Sequence, residues 1–324
     1  MSPSSDLHVV LGATGGVGQA VARLLAEQGA RVRAVNRSGH SSERNAMEVV
    51  AADLANRESA LAACQGAAVV FHCAGAPYDQ WATRLPDMLE NILAAVSAAG
   101  ATLVYTDNCY MYTPTSQPLT EESPQEPVTR KGKLRKQLAE RVLAAHTQGR
   151  IRATIGRAPD FYGPGVRTSV VGEQFFGALV AAKRVPWLGK LDMPHALSYV
   201  EDFARGLITL GAHEQALGQV WHIPAAPALT GRQYIALVSE TAEVSPKAFA
   251  APGWLLRILG ARNPALSESV ELMYEFTAPY LFDGGKYSHA FGGAPTTHRE
   301  AMQQTVAWYR QHAPGARPTG KPTT

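Results

Sequence analysis

Over residues 1–110, short apolar runs alternate with stretches of helical period. Leu7 to Leu11 is an apolar run that ends in glycines, and Val17, Val21, Leu24 and Leu25 follow at helical spacing. Gly29 sits where a helix C-terminal glycine belongs. Arg31 to Val35 alternates polar and apolar, the mark of a strand with one face buried. Val49 to Ala52, Val69 to His72 and Leu103 to Thr106 read as further strands, with helices over Ser59 to Cys64 and Leu85 to Ala99 between them. Strands alternating with helices imply parallel pairing through right-handed crossovers, hence an α/β fold with a Rossmann-type doubly wound sheet.

Thr113 to Val128 is polar and proline-bearing, a long surface loop, and Lys131 to His146 is a helix with Leu134, Leu138, Val142 and Leu143 as its stripe. Beyond Arg157 the pattern is punctuated by Pro and Gly, with turns at Gly163-Pro164-Gly165 and Asp192-Met193-Pro194-His195. Helices are expected over Asp202 to Leu210, Gly231 to Thr241 and Glu300 to His312. Ser198 to Val200 and Val220 to Ile223 read as strands flanking the first of these. The expected division is a main domain over 1–158, with 197–223 returning to it. A smaller C-terminal substrate lobe takes 159–196 and 224–312, and 313–324 forms a disordered Pro-, Gly- and Thr-rich tail.

Composition narrows the class. The 324 residues carry 46% hydrophobic and 18% charged side chains, enough for a sizeable core. Thirty Lys and Arg against 27 Asp and Glu leave a net charge of +3, too slight and too dispersed to suggest nucleic acid. Cys64, Cys73 and Cys109 form no CxxC pair, and the ten histidines make no i, i+4 metal pattern, so no metal is expected. The N-terminus has no basic leader, and Ser59 to Tyr78 is broken by Gln65, Gly66, His72, Gly75 and Pro77 rather than membrane-spanning. A cytoplasmic protein with a small-molecule partner, without nucleic acid or membrane, is the expectation; a homodimer is compatible with it.

Chemistry enters at the end of the first strand. Gly12-Ala13-Thr14-Gly15-Gly16-Val17-Gly18 joins that strand to the first helix with glycines at 12, 15 and 18. Missing side chains let such a backbone turn tightly and approach a pyrophosphate, which the helix N-terminus attracts. The second strand ends in Asn36-Arg37-Ser38, where a carboxylate would select NAD. No carboxylate is there to repel a 2′-phosphate and Arg37 can pair with one, so NADP(H) is favoured over NAD(H).

With these motifs in place the chain resembles an extended short-chain dehydrogenase/reductase of the NAD-dependent epimerase/dehydratase type. Further matching segments are Asp53-Leu54 and His72-Cys73-Ala74-Gly75-Ala76. Arg157-Ala158-Pro159-Asp160-Phe161-Tyr162-Gly163-Pro164-Gly165 and Tyr199-Val200-Glu201-Asp202 follow. The resemblance implies that Asp53 and Leu54 meet the adenine and that Ala74 and Gly75 line the cofactor.

The family's chemistry rests on a Ser or Thr after the fifth strand and on a Tyr and a Lys four apart on the next helix. Here Asn108 takes the Ser/Thr place, and its amide still donates. Anchoring the helix on Ala139-Glu140 puts Lys136 at the Lys and Gly132 at the Tyr; sliding by one gives Lys131 and Arg135. Neither register supplies a tyrosine. Tyr110 or Tyr112 is the expected substitute proton donor, its pKa lowered by Lys136, provided Asn108, Tyr110 and Tyr112 face one cleft on an extended segment. Asp107 is another candidate acid, and Tyr162 and His195 are candidate substrate contacts. The expected activity is NADP-dependent oxidation or reduction of a small-molecule carbonyl or alcohol. The alternatives are a nucleotide-sugar epimerase or dehydratase and a non-catalytic NADP-binding sensor or partner protein.

Overall fold

A computed structural model describes residues 6–40, 47–245, 247–251 and 270–312. The strands β1 (Leu7–Leu11), β2 (Arg31–Asn36), β3 (Glu48–Ala51), β4 (Ala67–His72), β5 (Thr102–Asp107), β6 (Arg152–Arg157) and β11 (Val220–His222) form one parallel sheet, ordered β11-β6-β5-β4-β1-β2-β3. The order reverses between β1 and β4, so the crevice above their C-terminal ends is where a ligand fits a doubly wound sheet.

Each face of the sheet has its own core. Helices α2 (Arg57–Cys64), α3 (Trp81–Ala99) and α4 (Arg130–Thr147) cover one face, burying Leu89, Ile92, Val96, Leu138 and Val142 against Val9, Leu11, Leu103 and Ile155. Helices α1 (Gly16–Glu27) and α6 (Val200–Ala212) cover the other, with Val21, Leu25, Phe203 and Leu207 against Val10, Val32, Phe71 and Val104. Strands covered on both sides are mostly apolar, as β1 is apart from His8.

Helix α3 begins at Trp81, four residues before the expected Leu85, and carries Pro86 in its interior. Pro86 lies in the second turn, where the missing N–H costs one bond and the apolar stripe from Leu85 to Val96 outweighs it. Strand β6 was not legible as a strand, because Arg152, Gly156 and Arg157 interrupt its apolar run. Gly156 is needed there: a Cβ would lie 2.6 Å from Leu207 Cδ2 on α6.

Leu197–Tyr199 (β10) does not join the main sheet. It pairs in parallel with β7 (Asp160–Tyr162), while β11 alone of the 197–223 stretch adds to the edge beside β6. The lobe beyond is built on α5 (Ala178–Val180), α7 (Gly231–Ala242) and α9 (His298–His312), with α8 (Gly285–Phe291) packed against β11. Two small ribbons complete it: β8 (Val185–Leu188) with β13 (Ala248–Ala251), and β9 (Pro194–His195) with β12 (Leu229–Thr230). Its core is aromatic, with Phe175, Phe176, Trp187, Tyr199, Tyr234 and Tyr309 buried together. The expected tail, 313–324, lies outside the described residues. Among the described residues no helix is long and apolar enough to cross a membrane, and no cluster of side chains could hold a metal ion.

Candidate functional site

The glycine loop is set by close backbone approaches. Gly12 has φ +82°, and a Cβ there would lie 2.5 Å from Ala74 Cα, so β1 can meet the end of β4 only through glycine. The amides of Gly12 and Ala13 both donate to the Val35 carbonyl, at 2.9 and 3.1 Å, which ties the loop to β2. At Gly18 a Cβ would stand 2.3 Å from the Gly12 carbonyl oxygen, and at Gly16 one would stand 2.7 Å from Val166 Cγ2. Helix α1 starts at Gly16 behind Gly15, whose missing side chain leaves the N-terminus without a side-chain cap. The result is a cradle of backbone donors around Thr14 and Val17 at the reversal of the sheet, the shape and polarity that a dinucleotide pyrophosphate needs.

The edge of the cradle carries Arg37. Asn36 is buried, and its Oδ1 accepts from the Ser38 amide (3.0 Å), the Ser38 hydroxyl (2.9 Å) and the Gly39 amide (2.8 Å). Its Nδ2 donates to the His40 carbonyl at 2.9 Å. Asn36 therefore builds the turn and has little left for a ligand. Arg37 is exposed and makes no hydrogen bond or ion pair among the described residues. Asp53 Oδ1 accepts from the Ala55 amide at 3.1 Å and faces Arg84 at 3.4 Å; Leu54 is buried, and Ala74 and the exposed Gly75 lie at the crevice.

Helix α4 points a different lysine inward from the one expected. Gly132 abuts the post-β5 segment, where a Cβ would lie 2.3 Å from the Tyr110 carbonyl oxygen. That contact fixes the phase of the helix. Lys131 and Arg135 face the protein interior, whereas Lys136 is on the flank and donates to the Gln125 carbonyl at 3.0 Å. Lys136 thus braces the 113–128 loop and has no contact with Asn108. Lys131 Nζ lies 2.8 Å from Glu271 and 5.2 Å from the centre of the Tyr78 ring.

Arg135 enters a buried charge network. Asp107, at the end of β5, accepts from Arg135 Nε (2.8 Å) and Nη2 (2.5 Å) and from Arg157 Nε (2.9 Å). As a candidate acid, Asp107 is instead the counter-ion of two guanidinium groups. Arg157 Nη1 donates to the Tyr112 hydroxyl at 2.9 Å, which leaves that hydroxyl to donate to His222 Nε2 at 2.6 Å. His222 Nδ1 then carries the hydrogen that bonds the Asp283 carbonyl at 3.1 Å. Burial, then the charge of Arg157, holds His222 down at about 3; burial, then Arg135, holds His72 at about 4. Both rings stay neutral in the fold but take up protons near pH 6.5 when unfolded. Stability is therefore full above pH 6.5 and is lost as pH falls toward 4 and 3. The expected loss is about 2 kcal/mol per histidine between pH 7 and 5. Urea midpoints across that range would check it, and His222→Gln should flatten the slope.

The segment after β5 is not extended. The Tyr112 amide donates to the Cys109 carbonyl at 3.2 Å, and Asn108 Oδ1 accepts from the Tyr110 amide at 3.1 Å. This turn separates the three side chains that an extended strand would have aligned. Asn108 Nδ2 makes no hydrogen bond among the described residues and can donate to a ligand. The Tyr110 hydroxyl lies 3.1 Å from that of Tyr78. The expected lowering of the tyrosine pKa is reversed: burial pushes Tyr110 and Tyr112 up, and for Tyr112 it outweighs the opposing charge of Arg157.

Tyr162 lies in the aromatic core of the second lobe against Phe176 and Tyr199. His195 is buried between the rings of Phe276 and Tyr280, with Nδ1 on the Glu275 carbonyl (3.1 Å) and Nε2 on Asp160 (3.0 Å). Both nitrogens are engaged, so His195 clasps the lobe to β7. A cavity of about 300 Å³ opens between the post-β5 segment and residues 274–280, with Cys109, Tyr112, Tyr274, Glu275 and Tyr280 in its wall. Glu275 had no sequence signal, since it sits in a short 3-10 turn without periodicity.

Comparison with known proteins agrees with this geometry. UDP-glucuronic acid 4-epimerase from Bacillus cereus, solved with UDP-glucuronic acid and NAD, superposes with a TM-score of 0.77 at 15% identity, covering 94% of this chain and 99% of that one. The dTDP-glucose 4,6-dehydratase of Bacillus anthracis, solved with NAD, gives 0.77 at 15% identity over 95% and 97%. A curated relative from Sinorhizobium fredii (strain NBRC 101917 / NGR234), the uncharacterized protein y4nL, is 27% identical over 343 residues, 94% of this chain and 95% of that protein. The model of the NAD dependent epimerase/dehydratase family matches residues 8–223, from β1 through β11. Two thirds of the chain, including the whole main sheet and its glycine cradle, thus follows one family pattern, and the chain belongs to the NAD dependent epimerase/dehydratase family.

Proposed function

We propose that the protein binds a nicotinamide dinucleotide and acts on a nucleotide-linked sugar in the cleft between the sheet and the C-terminal lobe. The observation that carries this reading is the Gly12–Gly18 cradle, shaped so that a Cβ at either end would close it. The structural neighbours add support, since they hold NAD, and the Bacillus cereus epimerase holds a nucleotide sugar as well. This class fits better than a free small-molecule carbonyl or alcohol, although hydride exchange at a carbinol carbon is common to both. When bound, the dinucleotide would supply that exchange.

The chain's residues would do the rest. The amides of the cradle would hold the pyrophosphate, with Ala74 and Gly75 beside the dinucleotide. Asn108 Nδ2 would donate to the substrate oxygen, and the Lys131 ammonium would add positive charge where an alkoxide develops. Tyr110, raised by burial, would keep its proton at neutral pH and so could give one but not take one. A non-catalytic binding role is the second reading, favoured by one observation: α4 points Lys131 and Arg135 inward and no phenol.

Arg37 would pair with a 2′-phosphate and favour NADPH. Being exposed, the pair is worth about 1–2 kcal/mol, or roughly 5- to 30-fold in affinity. Calorimetry with NADH and NADPH should show that preference and show it lost in Arg37→Ala. Equal wild-type affinities would remove it. Rapid mixing of the NAD- and NADP-loaded protein with a nucleotide-sugar panel, followed at the reduced-nicotinamide absorbance, tests the chemistry. Failure to bind either dinucleotide would overturn the whole reading.

A further inference from the structure

The cavity beside the post-β5 segment has an unusual wall. Thr113, Thr115, Ser116, Tyr274, Tyr280 and Glu275 line it beside Tyr112, whose hydroxyl is engaged by Arg157 and His222, and no Lys or Arg lines it among the described residues. Glu275 is 2% exposed, with the Tyr274 hydroxyl donating to its Oε1 at 3.3 Å. The charged groups behind the wall are engaged with partners of their own, two guanidinium groups sharing the one carboxylate of Asp107. Arg157 reaches the back of Tyr112 but is paired with Asp107, Lys131 is paired with Glu271, and Asp160 is paired with His195.

We propose that Glu275 makes this cavity selective for an uncharged, hydroxyl-bearing ring and against a ring that carries a carboxylate. A buried carboxyl among phenols and alcohols can exchange hydrogen bonds with sugar hydroxyls in both directions when protonated. Burial, reinforced by the charge of Asp160, pushes it toward that protonated form. An incoming carboxylate would lose its hydration and find no cation in return, next to a second acid that prefers to be neutral. The volume suits one hexose-sized ring, so the charged pyrophosphate of a nucleotide sugar would lie outside it. The proposal rests on the nucleotide-sugar reading for its physiological substrate, but the wall makes the same demand of a free ring.

The test uses the full-length protein saturated with its preferred dinucleotide. Affinities for UDP-glucose and UDP-glucuronic acid, which differ at C6 by a hydroxymethyl against a carboxylate, are measured by calorimetry. Crystals are soaked separately with UDP-glucose and with glucose. UDP-glucose should bind at least about tenfold more tightly, a gap of about 1.4 kcal/mol, with its ring against Glu275. Glu275→Gln keeps the shape and the hydrogen bonds. It should hold UDP-glucose within about threefold and leave the discrimination in place, because the amide is as neutral as the protonated carboxyl, whereas Glu275→Lys, which puts a cation in the wall, should narrow or reverse it. Equal or tighter binding of UDP-glucuronic acid, or a sugar ring seated elsewhere in the UDP-glucose crystal, would overturn the proposal while leaving the nucleotide-sugar reading intact. If neither nucleotide sugar binds but glucose occupies the cavity, the nucleotide-sugar reading fails and the neutral subsite stands. An empty cavity in both soaks overturns the subsite.

Discussion

Asp107→Ala is expected to destabilise the protein by about 3–5 kcal/mol, because it leaves two buried guanidinium groups facing each other without a counter-ion. Asp107 accepts three hydrogen bonds from Arg135 and Arg157, and its side chain is fully buried. Removing it deletes those bonds and turns two stabilised cations into neighbours that repel. Some partners remain: Arg135 keeps the Thr106 carbonyl and the faces of Trp81 and Tyr105, and Arg157 keeps Tyr112. These limit the loss without replacing a full negative charge. Asp107→Asn should fall between, since an amide oxygen accepts from one guanidinium but brings an N–H toward the other. Urea unfolding of the three proteins would show the order wild type, Asn, Ala. A loss below about 1 kcal/mol for Asp107→Ala would mean that the two arginines rearrange to reach water.

Gly18→Ala is expected to weaken dinucleotide binding by about 10- to 100-fold. The new Cβ would stand 2.3 Å from the Gly12 carbonyl oxygen and 2.8 Å from its carbon, so the backbone of Gly12 and Ala13 must give way. Overpacking of that kind costs about 1–3 kcal/mol, and the displaced strand-to-helix turn is the one that presents amides to the pyrophosphate. The fold itself is carried by the two cores on the faces of the sheet, so the variant should remain folded by circular dichroism with a lower melting temperature. A folded Gly18→Ala protein that binds NADH and NADPH as tightly as wild type would show that the cradle is not where the dinucleotide sits.

The βαβ rhythm of the first 110 residues and the glycine loop were legible because each rests on local pattern: apolar runs, period, and residues without side chains. The second half was less so. Strand β6 hides behind its own arginines: exposed Arg152 pairs with Glu214, while Arg157 ends the strand in a buried charge network with Arg135 and Asp107, about 20 and 50 residues earlier. The choice between Lys136 and Arg135 was beyond the sequence for a similar reason. Helical spacing offers both registers, and the tie is broken by one contact, Gly132 against the Tyr110 carbonyl, between segments separated by a long loop. Tyr110 and Tyr112 stand out in the sequence as the tyrosines of the post-β5 segment, but their proton chemistry depends on burial that a sequence does not print. Glu275 escaped altogether, since its significance comes from the lobe folding back onto the post-β5 turn.

The position of β11 has a consequence for how the chain leaves the ribosome. Strands β1 to β6 are complete once residue 157 has been made, yet β6 waits for its outer neighbour until Val220–His222 appears. At about 5–20 residues per second that interval lasts several seconds, during which a central strand behaves as an edge. Arg152, which helped obscure β6 in the sequence, also places an exposed positive charge at one end of that temporary edge. Slower synthesis at low temperature should therefore do little for the yield of soluble protein, whereas replacing exposed Arg152 with an apolar residue should send nascent chains into aggregates.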